Sequence, residues 1–150
     1  MLFKTHQAYR MKFIFSLLLF MSIVIVVKAD TIDYWHVYYN DKKPKELTYY
    51  TNNTLIIKSS QIKQGDSIKV FFFRDTPCSD CETNLIVDDI NDSRVALSKG
   101  KGTGNALSFS LAELLLYKRR TGKDTFQVCY FDKENISQAK KPVMFTIKLE

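Results

Sequence analysis

Residues 105–122 read NALSFSLAELLLYKRRTG and carry two different apolar periodicities. At the start of the segment apolar residues alternate with serines, a period of two that is typical of a β-strand with one buried face. From Ser110 onward the spacing is helical. Ser110 and Glu113 form a capping-box pair, and Gly122 follows the last turn. The segment therefore predicts a strand that leads directly into one short helix near residues 111–121.

A period of two also governs most of the chain on either side of this segment. The apolar runs are short and are separated by polar turns at intervals of about ten residues, as in β-sandwiches and barrels. The predicted strands are residues 33–40, 54–59, 66–74, 83–88, 93–98, 105–110, 125–132 and 142–149. Residues 70–73 and 126–131 are apolar on both faces, which favours positions inside a sheet. The sequence thus predicts an all-β fold, an antiparallel β-sandwich with one short helix.

Two features resemble those of immunoglobulin-like β-sandwiches. The predicted helix joins a strand ending near Ser110 to one beginning near Thr125, which resembles the connection between the last strands of many such domains. The phrase IKQGDSIKV at residues 62–70 is similar to the turn-into-strand opening of secreted bacterial modules of that kind. The resemblance implies an immunoglobulin-like sandwich without the Cys and Trp spacing of antibody domains. It transfers no functional residue.

The amino-terminal segment has the pattern of a secretory signal peptide. Residues 13–27 are apolar except for two serines, basic residues precede them, and small residues follow at the positions that signal peptidase reads. This apolar run is shorter than the roughly 20 residues that cross a bilayer. We therefore expect a signal peptide at residues 1–29 and a single β-sandwich domain at residues 30–150. The expected product is secreted or periplasmic, with no membrane span after cleavage.

The net charge of +6 does not indicate a nucleic-acid-binding domain. Lys4, Arg10, Lys12 and Lys28 lie in the predicted signal peptide, which contains no acidic residue. Without these four, 18 basic residues face the same 16 acidic residues. Because this balance is nearly neutral, we expect no nucleic acid among the partners.

Cys78 and Cys81 form a CxxC motif in the part of the chain that is predicted to be exported. In an oxidising compartment this spacing is typical of a local disulfide. A thiol–disulfide centre and a metal site use the same motif. The predicted strand that follows the motif favours the structural disulfide, because a redox cysteine normally begins a helix. The third cysteine, Cys129, lies in an apolar strand and is predicted to be a buried thiol.

The remaining motifs do not predict catalysis. His36 is the single histidine outside the predicted signal peptide, and no nucleophile elbow accompanies it. The glycine-rich residues 98–104 lack the spacing of a phosphate-binding loop and are predicted to form a flexible loop. The acidic residues 88–93 lack the calcium-loop pattern and are predicted to form a solvated turn. We therefore expect no catalytic residue, no cofactor and no bound metal. Three N-glycosylation sequons begin at Asn52, Asn91 and Asn135.

A dense aromatic cluster provides the candidate binding residues. In the predicted strand 33–40, alternation directs Trp35 and Val37 inward and leaves Tyr34, His36 and Tyr38 outside. The pair Tyr49 and Tyr50 lies in a neighbouring loop and joins this candidate surface. Tyrosine presents apolar area together with a polar group, which suits protein and carbohydrate partners. The sequence therefore predicts an exported, non-enzymatic interaction module. The alternative is a periplasmic thiol–disulfide or metal-binding protein that uses Cys78 and Cys81.

Overall fold

A computed structural model describes residues 33–42, 45–48, 53–132 and 142–150, which belong to one compact unit. The predicted signal peptide lies outside these residues. The strands are β1 (Tyr34–Tyr39), β2 (Lys45–Thr48), β3 (Thr54–Ile57), β4 (Ser67–Phe73), β5 (Glu82–Asp89), β6 (Arg94–Lys101), β7 (Leu107–Ser110), β8 (Thr125–Asp132) and β9 (Val143–Leu149). The helices are a 3-10 turn (Ser59–Gln61) and α1 (Leu111–Thr121).

The strands form two sheets, and the prediction of an all-β sandwich is confirmed. One sheet has the order β2-β1-β4-β7, and the other has the order β3-β9-β8-β5-β6. Every pairing is antiparallel except that of β3 with β9, which is parallel. Strands β4 and β8 each have neighbours on both sides, in agreement with their apolar sequences.

The core lies between the sheets and is built mainly from alternate residues of the strands. Trp35 of β1, Phe126 of β8 and Phe145 of β9 are among its largest side chains, and each is at most 1% exposed. Burial of one such side chain contributes about 1.5–3 kcal/mol of hydrophobic free energy. Because both sheets supply these residues, the core stabilises the sandwich as one unit.

The helix α1 begins and ends where the sequence predicts. The hydroxyl group of Ser110 accepts a hydrogen bond from the backbone N–H of Ala112, and Gly122 closes the helix in the left-handed conformation. Leu111 and Leu114 are fully buried against the core. The helix therefore covers part of the sandwich while it carries the chain from one sheet to the other.

Three local features differ from what the sequence pattern indicates. Strand β2 was not predicted, because Leu47 is its single buried residue. Strand β6 continues to Lys101, so residues 98–101 of the predicted flexible loop 98–104 belong to a strand. In β9, Met144 is buried and Val143 is exposed, which is the reverse of simple alternation. A register shift in the pairing of β8 with β9, at Val128, accounts for this reversal.

Candidate functional site

Strand β1 places the predicted outward row on the outer face of the four-stranded sheet. Trp35 and Val37 are buried in the core, whereas Tyr34, His36 and Tyr38 are partly exposed on the opposite face. Tyr39 points inward, and its hydroxyl group donates a hydrogen bond to Asp66. Tyr49 and Tyr50 lie outside the described residues.

Two phenylalanines of the neighbouring strand extend this row. In the register of β1 with β4, Tyr34 lies opposite Phe73 and His36 lies opposite Phe71. The ring centroids of Tyr34 and Phe73 are 4.9 Å apart in a stacked arrangement, and those of Tyr38 and Phe71 are 5.4 Å apart in an edge-to-face arrangement. The ring of His36 lies 5.1 Å from Phe73. These five residues are called the aromatic patch below.

Sequence reasoning missed the two phenylalanines. Residues 70–73 are apolar without interruption, so the sequence shows that both faces of the strand are apolar but not which residue meets a partner. The available signal was the alternation of β4. Val70 and Phe72 point into the core, which leaves Phe71 and Phe73 outside, next to the row on β1.

Charged side chains surround the aromatic patch. Glu46 of β2 is exposed, and its carboxylate oxygen lies 3.1 Å from Nε2 of His36. Lys69 of β4 lies opposite Tyr38 and forms an ion pair with Asp41. The patch thus has an apolar centre and a rim that carries both signs of charge.

The end of the patch near Tyr34 carries a second group of charges. Arg74 follows β4, and its Nη1 donates a 2.7 Å hydrogen bond to the buried carboxylate of Asp132. Burial raises the pKa of Asp33, the residue before β1, and Arg74 partly opposes this shift. This end therefore combines a paired guanidinium group with a carboxyl group that keeps its proton to higher pH than usual.

The cysteines occupy the loop between β4 and β5. Cys78 and Cys81 are at disulfide distance, and the backbone N–H of Cys81 donates a hydrogen bond to Sγ of Cys78. No helix begins at Cys78, because Cys81 leads directly into β5. The loop contacts the turn after β6, where the backbone N–H of Gly102 donates to the carbonyl oxygen of Cys81. Cys129 is buried and is outside this disulfide.

The acidic turn between β5 and β6 differs from the solvated turn that was predicted. Asp88 and Asp89 are at most 1% exposed. Asp88 pairs with Arg94, and Asp89 accepts hydrogen bonds from Lys123 and Tyr117. Their oxygen atoms are therefore used in contacts within the protein. In the part of the chain that the structure describes, no three His, Cys, Asp or Glu side chains are grouped so that they could hold a metal ion.

The chain matches no protein-family model, no curated protein and no solved structure. Among the described residues, none of the helices combines the length and the apolar character needed to cross a membrane.

Proposed function

We propose that this chain is an exported, non-enzymatic interaction module that binds another protein through the aromatic patch. The observation that carries the proposal is the meeting of five rings from β1 and β4 on the outer face of the four-stranded sheet. This face is opposite the core, so the fold does not use it to join the two sheets.

The composition of the patch supports a protein partner. Protein interfaces have an apolar, aromatic centre and a polar rim, and tyrosine and arginine are enriched among the residues that dominate binding energy. Here the centre consists of Tyr34, His36, Tyr38 and two phenylalanines, and the rim includes Glu46 and Lys69. Because the rim carries both signs of charge, it suits a partner with complementary charges of both signs.

Ring packing favours a protein over a carbohydrate. A sugar that binds on an aromatic platform stacks on an open ring face. Tyr34 and Phe73 instead stack on each other, and Tyr38 meets Phe71 edge to face, so part of the ring area is already covered. The remaining surface consists of ring edges, hydroxyl groups and partly exposed faces, which suits side chains of a partner protein.

We also propose that the sandwich is immunoglobulin-like. In such domains the second and fifth strands of the framework belong to one sheet, and the third, sixth and seventh belong to the other. Strands β4 and β7 pair in the four-stranded sheet, while β5, β8 and β9 are neighbours in the other sheet. With β1 as the first strand, six strands follow the framework and support the proposed relationship, whereas β6, in the place of the fourth strand, departs from it because it pairs with β5 in the other sheet.

A binding experiment tests the interaction proposal. The partner is captured by crosslinking in the exported fraction of the host, identified by mass spectrometry and purified. Its affinity is then measured for the native chain and for Tyr34→Ala and Tyr38→Ala. Each substitution removes a ring of the patch, so we expect each to weaken binding at least tenfold, about 1.4 kcal/mol.

Leu116→Ala is the matched control, because Leu116 is an exposed apolar residue on α1, away from the patch. It should leave the affinity unchanged. Patch variants that bind like the native chain contradict the proposal, as does an equal loss in the control. Retention on polysaccharide that depends on Tyr34, without a protein partner, replaces the proposal with carbohydrate binding.

The intact mass of the exported protein tests export, because cleavage after Ala29 leaves a chain that begins at Asp30.

The second candidate is thiol–disulfide exchange or metal binding at Cys78 and Cys81. Both cysteines are only partly buried, and an N–H group points at Sγ of Cys78, a contact that stabilises a thiolate. An insulin-reduction assay and a metal-uptake assay test this function. Activity that Cys78→Ser abolishes supports it, whereas cysteines that are inert in both assays eliminate it.

A further inference from the structure

A groove opens between the two sheets at their edges, on the opposite side of β1 from the aromatic patch. Its volume is about 390 Å³, which is within the usual range of small-molecule pockets. Val37 of β1 and Ile68 of β4 are buried core residues that form its floor. Leu55 and Ile57 of β3 form one wall, and Tyr39 forms the other. The interior of the groove is therefore apolar.

Two lysines line the mouth of this groove. Lys45 lies opposite Val37 in the register of β1 with β2, so its side chain is on the inner side of the edge strand. Lys58 follows β3 on the other sheet and also lines the groove, together with Gln61. Within the described residues neither lysine forms an ion pair.

No acidic side chain is among the described residues that line the groove. Two acidic residues are hydrogen-bonded to lining residues without lining the groove themselves: Asp66 accepts from the hydroxyl group of Tyr39, and the backbone N–H of Glu150 donates to the carbonyl oxygen of Ile57. Asp66 also accepts from Asn40 and from the backbone N–H of Lys63, and these bonds, with that of Lys63 first, hold its pKa below the usual value. Asp66 stays negatively charged but is not among the residues that line the groove, so Lys45 and Lys58 are the charged side chains described at its surface.

We propose that the groove binds a free amphipathic carboxylate, such as a single-chain fatty acid of medium length. The aliphatic chain would contact Val37, Leu55 and Ile68, and the carboxylate would lie between Lys45 and Lys58. Burial of the chain supplies hydrophobic free energy, and the paired charges select an anion over a cation. This site is independent of the proposed interaction module, because its residues lie on the inner side of β1 and on β3.

Calorimetric titration below the micellar concentration tests the proposal. The probes are decanoate and its cationic counterpart decyltrimethylammonium. We expect saturable 1:1 binding of decanoate and binding of the cation at least tenfold weaker. The double variant Lys45→Glu/Lys58→Glu should weaken decanoate binding at least tenfold. The control double variant Lys99→Glu/Lys101→Glu makes the same charge change at two exposed positions of β6 and should leave the affinity unchanged.

Nuclear magnetic resonance of the native protein supplies evidence that needs no variant. Decanoate should shift the backbone amide signals of Val37, Leu55 and Lys58 and leave those of Tyr34 and Phe73, at the far end of the aromatic patch, unchanged. Any of three results overturns the proposal: no saturable decanoate binding, equal affinity for the cation, or decanoate binding that the double variant retains. Binding to anionic phospholipid vesicles without binding of free decanoate also overturns it, because the ligand is then a membrane lipid.

Discussion

Asp89 at the end of β5 is a buried carboxylate that four donors surround. Lys123 and Tyr117 donate from their side chains, and Asn91 and Ser93 donate from the backbone. These bonds, the one from Lys123 first, hold the pKa of Asp89 far below its usual value. Asp89 thereby joins the β5–β6 turn to α1 and to the segment that follows it.

Replacing this carboxylate should destabilise the fold. Asp89→Asn removes the charge that pairs with Lys123 and replaces an acceptor oxygen by a donor group. We expect the melting temperature at pH 7 to fall by about 5–10 °C. Asp92→Asn is the control, because Asp92 is exposed in the same turn and has a positive φ that asparagine accepts. Equal melting temperatures for Asp89→Asn and the native chain would contradict this role.

Stability should depend on pH through the same residue. Because the pKa of Asp89 is lower in the folded state than in the unfolded state, the unfolded state binds more protons in acid. The contribution of Asp89 is therefore complete above the unfolded pKa of about 4 and is lost as the pH falls towards the folded value. Melting curves from pH 7 to pH 2.5 should show the difference between the native chain and Asp89→Asn shrinking below pH 4. A constant difference over this range would show that the charge is not involved.

Two glycines in the β6–β7 turn allow the cost of backbone strain to be measured apart from the cost of a close contact. Gly102 and Gly104 have φ angles of 76° and 79°. A Cβ atom on Gly104 meets nothing within 4 Å, whereas one on Gly102 lies 2.7 Å from the carbonyl oxygen of Ser79. Gly104→Ala should cost about 1 kcal/mol of unfolding free energy through strain alone. Gly102→Ala should cost a further 1–3 kcal/mol, because the turn must separate from the cysteine loop. Urea unfolding measures both, and equal costs would refute the contact.

At the scale of elements, the start of α1 depends on one serine. The hydroxyl group of Ser110 accepts from the N–H of Ala112, which has no partner within the helix. Ser110→Ala should lower the unfolding free energy by about 1 kcal/mol, as measured by urea denaturation. Ser108→Ala, at an exposed position of the same strand, should change it by less than about 0.5 kcal/mol. A larger loss at Ser108 would place the stabilising contact in β7 rather than in the helix cap.

Elements were predictable where local pattern and tertiary environment agree. The alternation in β7 and the cap at Ser110 predict the strand, its buried face and the start of the helix. Strand β2 depends instead on its pairing with β1, and its sequence Lys-Glu-Leu-Thr has no apolar alternation. The exposure of Val143 depends on a register shift against β8. These features are set by contacts between distant segments, which one strand's pattern does not contain.

The candidate surfaces were likewise predictable only in part from the sequence. The outward direction of Tyr34, His36 and Tyr38 follows from alternation within one strand. Their contact with Phe71 and Phe73 requires the register of β1 with β4. The groove requires still more, because its walls come from opposite sheets and its volume depends on the separation of their edges.

At the scale of the whole molecule, each sheet joins strands from distant parts of the chain. Strand β3 pairs with β9, so Thr54 lies opposite Thr146, and the side chains of both sheets share one core. Trp35 is the single tryptophan and is fully buried in the four-stranded sheet, whereas Ile147 is fully buried in the five-stranded sheet. Tryptophan fluorescence therefore reports on one sheet while a substitution is made in the other.

Because neither sheet can keep its buried face without the other, we expect the sandwich to unfold in one cooperative step. Ile147→Ala leaves a cavity in the five-stranded sheet and should cost about 2–5 kcal/mol. This cost should shift the urea midpoint of Trp35 fluorescence and of far-ultraviolet circular dichroism by the same amount. If the fluorescence midpoint stays at its native value while the dichroism midpoint falls, the four-stranded sheet is stable without its partner. The shared core would then be a contact between two separately stable sheets rather than the interaction that stabilises both.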